Sequence, residues 1–267
     1  MNDYLQLNRE FWNARTEVHA QSKFYDVPGF LNGGNSLPRI DQSIAGDVSG
    51  KRLLHLQCHF GLDTLSYARM GAHVCGVDLS DASIAKAREL AEQAGIEAEF
   101  IASDVYESAA KLTGKFDIVY TGWGALIWLP DVDRWSEVVA DVCADDGTVI
   151  VNEFHPFMYM LDDDGNFKYG YFDNGEGYAE TSSGTYTDGG DSIGEMELVT
   201  FNHSIADLIQ PMLSRGFRLT AFAEHDYSPY ECFGDMVEDK PGEYVIKSFG
   251  RSVPYAFSAK FERSANM

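Results

Sequence analysis

Residues 51–80, KRLLHLQCHFGLDTLSYARMGAHVCGVDLS, decide the fold that the sequence predicts. Residues 52–56 and 73–77 are short apolar runs without helical length, which is typical of buried strands. Between them, an apolar stripe that begins at Leu62 indicates a helix, and Gly71 ends it. A strand, a helix and a second strand form the first βαβ unit of a doubly wound α/β fold, and such folds bind ligands beyond the carboxyl ends of their strands.

Two residues of this unit point to a ligand site. Asp78 stands at the carboxyl end of the second strand, where a carboxylate can accept hydrogen bonds from two vicinal ribose hydroxyls. Gly61, in the loop after the first strand, lets the backbone approach a ligand closely. The pattern therefore favours a ligand that carries a ribose.

The segment HLQCHFGLDTLSYARMGA, which starts at His55, resembles the first motif of class I, Rossmann-like S-adenosylmethionine-dependent methyltransferases of the bacterial stand-alone, small-molecule type. In that family the motif is commonly an acid, one residue, and then Gly-x-Gly-x-Gly. Here His55 stands at the position of the acid, Gln57 and His59 replace two glycines, and Gly61 keeps the third. The resemblance covers residues 51–152 well and the C-terminal part more loosely, and it implies S-adenosylmethionine as the cofactor.

The same resemblance implies which residues bind the cofactor. After the third predicted strand, residues 98–102, Asp104 would meet the adenine amino group and Val105 would pack on the ring, although Asp104 also suits a helix N-cap. Trp12 and Arg15 lie on a predicted lid helix, with ordinary packing as the alternative for Trp12. The predicted cofactor-binding set is Trp12, Arg15, His55, Gln57, His59, Gly61, Asp63, Asp78, Leu79, Ser80, Asp104, Val105 and Thr121.

A dinucleotide site is the competing interpretation. It would need glycines at positions 57, 59 and 62, where the chain has Gln57, His59 and Leu62. Asp63 would place negative charge in the first helical turn, where a pyrophosphate needs bare N–H groups, whereas the amino group of S-adenosylmethionine is cationic. An NAD-linked oxidoreductase and a cofactor-binding protein without catalysis stay open as alternatives to a methyltransferase.

The remaining segments are interpreted as parts of a single methyltransferase domain with a seven-stranded, mostly parallel sheet. Residues 1–50 are expected to form a helical lid, and residues 51–152 the cofactor-binding core. Residues 157–200 are rich in Gly and Tyr and are interpreted as an insertion after strand five that covers the substrate, with a surface loop that does not touch ligand as the alternative. Residues 202–263 predict a closing helix and an antiparallel hairpin.

Two residues are candidates for a catalytic base. Methyl transfer is an in-line displacement, and an acceptor that must lose a proton also needs a base. After a turn at residues 145–147 and the fifth strand at 148–151, Glu153 and His155 stand at the edge of the sheet where ligands bind. His155 is the first candidate and Glu153 the second, without a motif behind either, and the alternative for His155 is a hydrogen-bonding role in an aromatic pocket.

Composition and charge limit the kinds of partner that the protein is expected to have. The 267 residues carry a formal charge of −22, which repels phosphate backbones, so we expect a small-molecule acceptor and no nucleic acid. The four cysteines are far apart and form no Cys-x-x-Cys, which is typical of reduced thiols in a cytoplasmic protein. We expect no membrane span and no metal site, and the sequence predicts no oligomeric state.

Overall fold

The chain folds around a seven-stranded sheet, as seen in a computed structural model that describes residues 4–162, 164–172 and 175–263. The helices of these residues are α1 (Tyr4–Gln21), α2 (Val27–Leu31), α3 (Arg39–Ala45), α4 (Leu62–Arg69), α5 (Asp81–Ala94), α6 (Val132–Val142) and α7 (Ile205–Ser214). The strands are β1 (Arg52–Leu56), β2 (His73–Asp78), β3 (Glu99–Ala102), β4 (Phe116–Gly122), β5 (Cys143–Phe154), β6 (Tyr178–Ser182), β7 (Met196–Thr200), β8 (Phe217–His225), β9 (Met236–Lys240), β10 (Glu243–Ile246) and β11 (Ala256–Arg263).

The order of the sheet is β3-β2-β1-β4-β5-β11-β8. Strands β1 to β5 run parallel to their neighbours, whereas β11 runs antiparallel to both β5 and β8. From β1, the strand order continues to β2 and β3 on one side and to β4 and β5 on the other. The point at which the chain connections change direction therefore lies between β1 and β4. The predicted seven-stranded, mostly parallel sheet with a closing antiparallel pair is confirmed.

Side chains alternate along each strand, so β1 sends side chains to both faces of the sheet, and both faces are buried there. Leu54 and Leu56 of β1 pack in a cluster with Trp135 of α6, whereas Leu53 packs in another cluster with Tyr67 of α4. The three leucines of β1 have no exposed surface. The faces are therefore occupied by helices, and the carboxyl edge of the strands is left to meet a ligand.

Gly61 is required for packing inside the protein. Its φ is +77°, and it is the N-cap of α4. A Cβ built on Gly61 would lie 2.7 Å from the ring of Phe100 on β3 and 3.1 Å from Cβ of Ala87 on α5. The sequence suggested that Gly61 leaves room for a ligand, but the missing side chain leaves room for the core.

We therefore expect Gly61→Ala to lower the free energy of unfolding by about 2–5 kcal/mol, since a left-handed residue with a Cβ costs about 1–2 kcal/mol and overpacking about 1–3 kcal/mol. Urea denaturation measures this change. Gly95→Ala is the matched control, because Gly95 has a φ of +65° but no atom within 4 Å of its added Cβ. Equal destabilisation by the two variants would contradict the packing argument.

Strand β5 is longer than predicted and contains an irregularity. Cys143 pairs with Phe116, and the regular register resumes where Thr148 pairs with Ile118. Residues 144–147 therefore loop out of the ladder at the place where the sequence predicts a turn. The predicted turn lies inside the strand because pairing begins before it.

The insertion and the closing segment each contain a hairpin. In the insertion, β6 pairs antiparallel with β7. Residues 163, 173 and 174 of the insertion lie outside the described part. Strands β8 and β11 are neighbours in the sheet, but the connection between them contains the hairpin β9–β10.

Candidate cofactor and acceptor cavity

A cavity of about 560 Å³ lies at the carboxyl ends of β1, β2, β3 and β4. Its volume falls in the ordinary range of small-molecule sites. Of the thirteen predicted cofactor-binding residues, ten line it, and they are Trp12, His55, Gln57, His59, Gly61, Asp63, Asp78, Leu79, Asp104 and Val105. The strand ends thus bring together most of the set that the resemblance implied.

The loop after β1 adopts the backbone of a glycine loop with only one glycine. Gln57 has a φ of +58°, His59 of +50° and Gly61 of +77°, and these are the three positions at which the resembled motif has glycine. Each of the first two costs about 1–3 kcal/mol as a non-glycine residue in this region. Hydrogen bonds hold the loop there: the side chain of Gln57 donates to the carbonyl of Ala125 at 2.6 Å, and the backbone of His59 donates to Asp78 Oδ2 at 2.7 Å.

Asp78 is fixed at the edge of the cavity. Its Oδ1 accepts from the backbone N–H of Ser80 at 2.8 Å, and its Oδ2 accepts from His59. Burial raises the pKa of Asp78 to about 6, and these backbone hydrogen bonds oppose the rise. The carboxylate is therefore oriented before a ligand arrives and is ionised at neutral pH.

This pKa predicts the pH dependence of ligand binding. A ribose hydroxyl donates best to the ionised carboxylate, so protonation of Asp78 below pH 6 competes with binding. We expect the affinity for S-adenosylhomocysteine to be constant above about pH 7 and to fall about tenfold by pH 5, because one pH unit below its pKa leaves about a tenth of a group ionised. Calorimetric titrations at pH 5, 6, 7 and 8 test this, and an Asp78→Asn variant should lose the dependence.

Asp104 serves as a cap and also faces the cavity. Its side chain accepts from the backbone N–H of Tyr106 at 3.1 Å, at the start of the 3-10 turn Val105–Ala110. Burial raises the pKa of Asp104. Val105 lies beside it in the cavity lining, so both of the predicted adenine-binding side chains are in place.

Asp63 and His55 lie at the β1 side of the cavity. Asp63 Oδ1 accepts from Ser36 Oγ at 2.6 Å, and burial raises the pKa of Asp63. His55 Nδ1 lies 2.8 Å from Thr64 Oγ1, and burial lowers the pKa of His55 to about 3. At neutral pH His55 is uncharged, so it does not supply the negative charge that the acid has at this position of the resembled motif.

Three predicted residues do not reach the cavity. Arg15 donates to the carbonyls of Phe11 at 3.0 Å and Gly184 at 2.7 Å and lies over the ring of Phe11, so it joins α1 to the insertion. Ser80 caps α5, because its side chain accepts from the backbone of Ser83. Thr121 is buried within β4. Arg15, Ser80 and Thr121 therefore lie outside the cavity lining, and direct contact of these residues with the cofactor stays a prediction.

A chain of polar contacts closes the roof of the cavity. His19 Nδ1 lies 2.9 Å from His59 Nε2, and His19 Nε2 lies 2.6 Å from Thr185 Oγ1. Beside them, the hydroxyls of Tyr25 and Tyr186 are 2.5 Å apart. Burial lowers the pKa of His19 to about 3. The roof thus joins α1, the β1 loop and the insertion, so the insertion contacts the lid above the cavity.

Glu153 and His155 have structural partners. Glu153 is buried and accepts from the backbone N–H groups of Ala125 at 2.8 Å and Leu126 at 3.0 Å, together with those of Gly124 and Phe154. Burial raises its pKa, and these four hydrogen bonds oppose the rise. Glu153 therefore holds the loop after β4.

His155 accepts from the backbone of Phe157 through Nδ1 and lies 3.1 Å from Glu224 through Nε2. It does not line the cavity. Burial lowers its pKa, and Glu224 opposes this. These contacts give Glu153 and His155 structural roles, and their catalytic roles stay a prediction.

The end of the cavity beyond β4 and β5 is aromatic, and the sequence analysis missed most of it. Trp123 follows β4, Tyr159 and Tyr186 come from the insertion, and Tyr230 and Phe233 come from the connection between β8 and β11. Aromatic enrichment of the insertion was a signal for two of them. The connection offered no periodicity and no motif that points to a site.

Known proteins match the part of the chain that carries most of the predicted cofactor-binding residues of this cavity. Residues 53–147 match the family model described as a methyltransferase domain. The match contains β1 to β4 and the loops that carry Gly61, Asp78 and Asp104, and the resemblance inferred from the sequence is confirmed.

Relatives with curated names match the same domain. The ubiquinone biosynthesis O-methyltransferase of Bordetella pertussis is 38% identical over 78 residues, which are 29% of this chain and 32% of the relative. The enzyme of the same name from Aeromonas salmonicida is 29% identical over 119 residues, which are 44% of this chain and 50% of the relative. The chain therefore spans about a third to a half of the length of these relatives.

Solved structures extend the similarity of fold beyond the methyltransferase domain. An S-adenosylmethionine dependent methyltransferase from Mesorhizobium loti has a TM-score of 0.56 at 18% identity, covering 87% of this chain and 100% of its own. Magnesium protoporphyrin IX methyltransferase from Synechocystis PCC 6803, with bound S-adenosylmethionine, has a TM-score of 0.55 at 16% identity and covers 99% of both chains. At this identity the likeness concerns the fold.

Two further properties follow from the described residues. None of their helices is long and apolar enough to cross a membrane. Among the same residues, no group of three His, Cys, Asp or Glu side chains is arranged to hold a metal ion.

Proposed function

We propose that this protein binds S-adenosylmethionine and transfers its methyl group to a small molecule. The observation that carries the proposal is Asp78, oriented by two backbone N–H groups at the end of β2 and facing a cavity that continues to the end of β4. A carboxylate so placed accepts from the two hydroxyls of a ribose. The matched methyltransferase domain supports the same assignment.

The polar atoms of the cavity suit this cofactor. Gln57 Oε1 and Ser103 Oγ are buried and find no hydrogen-bond partner among the described residues, and both side chains line the cavity. Buried polar groups normally have partners, so a bound ligand with donors is expected to satisfy them. In the proposed assignment, Asp78 holds the ribose, Asp104 and Val105 the adenine, and Asp63 the cationic amino group.

When bound, S-adenosylmethionine supplies a methyl group already activated on a sulfonium. The protein then needs no nucleophile of its own, and its contribution is to hold the acceptor in line with the methyl group. Trp123 and the loop held by Glu153 stand at the end of β4 where that alignment is set. Positioning of this kind lowers a barrier by about 7–11 kcal/mol.

The acceptor that we propose is a small molecule. The formal charge of −22 opposes nucleic acid, and the roof of His19, Thr185, Tyr25 and Tyr186 encloses a volume that suits a metabolite.

Calorimetric titration with S-adenosylmethionine, S-adenosylhomocysteine and NAD tests the cofactor. We expect the first two to bind and NAD to give no heat, because Gln57, His59 and Leu62 replace the glycines of a dinucleotide loop and Asp63 lies where a pyrophosphate would sit. Binding of NAD alone would contradict the proposal. Release of S-adenosylhomocysteine in the presence of candidate acceptors then measures transfer.

A further inference from the structure

Six rings, which we call the acceptor wall, line the cavity from the β1 loop to the ends of β4 and β5: Tyr25, Trp123, Phe154, Tyr159, Tyr186 and Tyr230. The ring of Trp123 has its centroid 5.5 Å from that of Phe154 and 5.6 Å from that of Tyr230. Tyr25 and Tyr186 are joined through their hydroxyls. The faces and edges of these rings, contributed by five separate parts of the chain, line one side of the cavity.

Two buried carboxylates stand behind this wall. Trp123 Nε1 donates to Asp41 Oδ2 at 3.0 Å, and the hydroxyl of Tyr159 donates to Glu153 Oε1 at 3.2 Å. Asp41 is fully buried on α3 and also accepts from Tyr120 and from Asn152. A carboxylate that accepts a hydrogen bond from the polar group of a ring leaves the ring richer in electrons, so its face attracts a cation more strongly.

No positive side chain balances these charges at the cavity. Among the described residues, no lysine or arginine lines the cavity, and its acids are Asp63, Asp78 and Asp104. Burial lowers the pKa of His55 to about 3 and that of His59 well below its usual value, so both imidazoles are neutral at neutral pH. A carboxylate or phosphate group on the acceptor would find no lysine or arginine at the acceptor wall to balance its charge.

We infer that the methyl acceptor is an amine with an apolar body, held by the acceptor wall as a cation before it reacts. This inference deepens the proposed methyl transfer and rests on it. Aromatic faces attract ammonium groups by about 0.5–1 kcal/mol at exposed sites and by about 2 kcal/mol or more when the groups are desolvated. The six rings also bury an apolar body.

The charge balance of the reaction agrees with this choice. The bound ammonium gives one proton to water, the nitrogen lone pair forms the new C–N bond, and the C–S bond breaks with its electron pair going to sulfur. The positive charge thereby moves from sulfur to nitrogen and stays inside a wall that stabilises it. Burial raises the pKa of Asp41 to about 7 and also raises that of Glu153, so this region already disfavours negative charge, and methylation of an oxygen anion would need a further negative charge there.

Matched probes test the inference. The protein is saturated with S-adenosylhomocysteine at pH 8, where primary alkylamines remain protonated, and titrated with 2-phenylethylamine, 2-phenylethanol and 3-phenylpropanoate. We expect the amine to bind at least tenfold more tightly than the alcohol, and the carboxylate to give no heat. An amine that binds no better than the alcohol, a carboxylate that binds as well, or absence of binding by all three would overturn the inference.

Variants localise the effect. Trp123→Leu should weaken amine binding about tenfold and alcohol binding by threefold or less, because the leucine keeps apolar contact but has no ring face. Trp123→Phe keeps a ring but removes the hydrogen bond to Asp41, and it should fall between the two. Asp145→Asn is the control for net charge, since Asp145 is exposed and lies outside the cavity lining. Equal losses for amine and alcohol in Trp123→Leu would also overturn the inference.

The design separates this inference from the proposed function. Failure of S-adenosylhomocysteine to bind contradicts the proposed function. The three probes are also titrated without S-adenosylhomocysteine, so the preference of the acceptor wall for the amine is measured in either case. Binding of S-adenosylhomocysteine without preference for the amine leaves the methyltransferase standing and removes only the amine.

Discussion

Asp78→Ala is expected to weaken the binding of S-adenosylhomocysteine about a hundredfold or more. The ionised side chain can accept from both ribose hydroxyls, and hydrogen bonds to a charged group are worth about 1.5–3 kcal/mol each, so two of them correspond to at least two factors of ten. The variant also removes the acceptor of the backbone N–H of His59, which fixes the loop after β1. Calorimetric titration of the folded variant measures the change.

Two controls accompany this experiment. Asp78→Asn keeps the shape but loses the charge, and it should fall between the wild type and Asp78→Ala. Asp145→Ala removes an exposed acid and should leave the affinity unchanged. If circular dichroism shows that Asp78→Ala is folded and its dissociation constant equals that of the wild type, Asp78 has no part in the ribose site.

Glu153→Gln is expected to lower the free energy of unfolding by about 2–6 kcal/mol. The carboxylate accepts from four backbone N–H groups, and an amide of the same shape turns its NH2 group toward some of them. A buried donor that loses its acceptor costs about 1–3 kcal/mol, and two such losses give the expected range. Urea denaturation measures the change.

The same variant distinguishes a structural role from a catalytic one. If Glu153 were a base, the glutamine variant would be as stable as the wild type and would only fail to transfer the methyl group. Glu97→Gln makes the same chemical change at an exposed position and should leave stability within about 0.5 kcal/mol. Wild-type stability in Glu153→Gln would return Glu153 to the list of catalytic candidates.

The sheet and the strand-end acids could be predicted because each rests on a local signal. The apolar run before Gln57 and the helix that follows Gly61 have the periods of a buried strand and an amphipathic helix. Asp78 and Asp104 follow their strands directly, so the topology places both at the carboxyl edge. The sequence shows where a residue stands along its strand. In a parallel sheet, a residue at the carboxyl end of a strand also lies at the carboxyl edge of the sheet.

The direction in which a side chain points could not be predicted in the same way. Arg15 stands one helical turn from Trp12, but the carbonyls of Phe11 and Gly184 draw it away from the cavity. Glu153 stands at a strand end as Asp78 does, but four N–H groups of a neighbouring loop take up its carboxylate. Such partners are distant in sequence or depend on loop geometry, and no periodicity reports them.

The loop after β1 shows a second limit. Positive φ values at Gln57 and His59 are unusual for these residue types, so the sequence suggests a damaged glycine loop. In the folded chain, the hydrogen bonds of Gln57 to Ala125 and of His59 to Asp78 restore the backbone conformation. The motif is preserved in its dihedral angles, which the residue types do not show.

The position of the acceptor wall in the chain affects how the acceptor specificity of the protein can evolve. Its rings stand mainly on the α1–α2 turn, the insertion and the connection between β8 and β11, whereas the acids of the cofactor half stand at the start of α4, at the end of β2 and just after β3. Substitutions in those outer segments can reshape the choice of acceptor without disturbing the sheet. Chains that share the inner half can therefore serve unrelated metabolites, and the name of a relative carries over only as far as its matched residues extend.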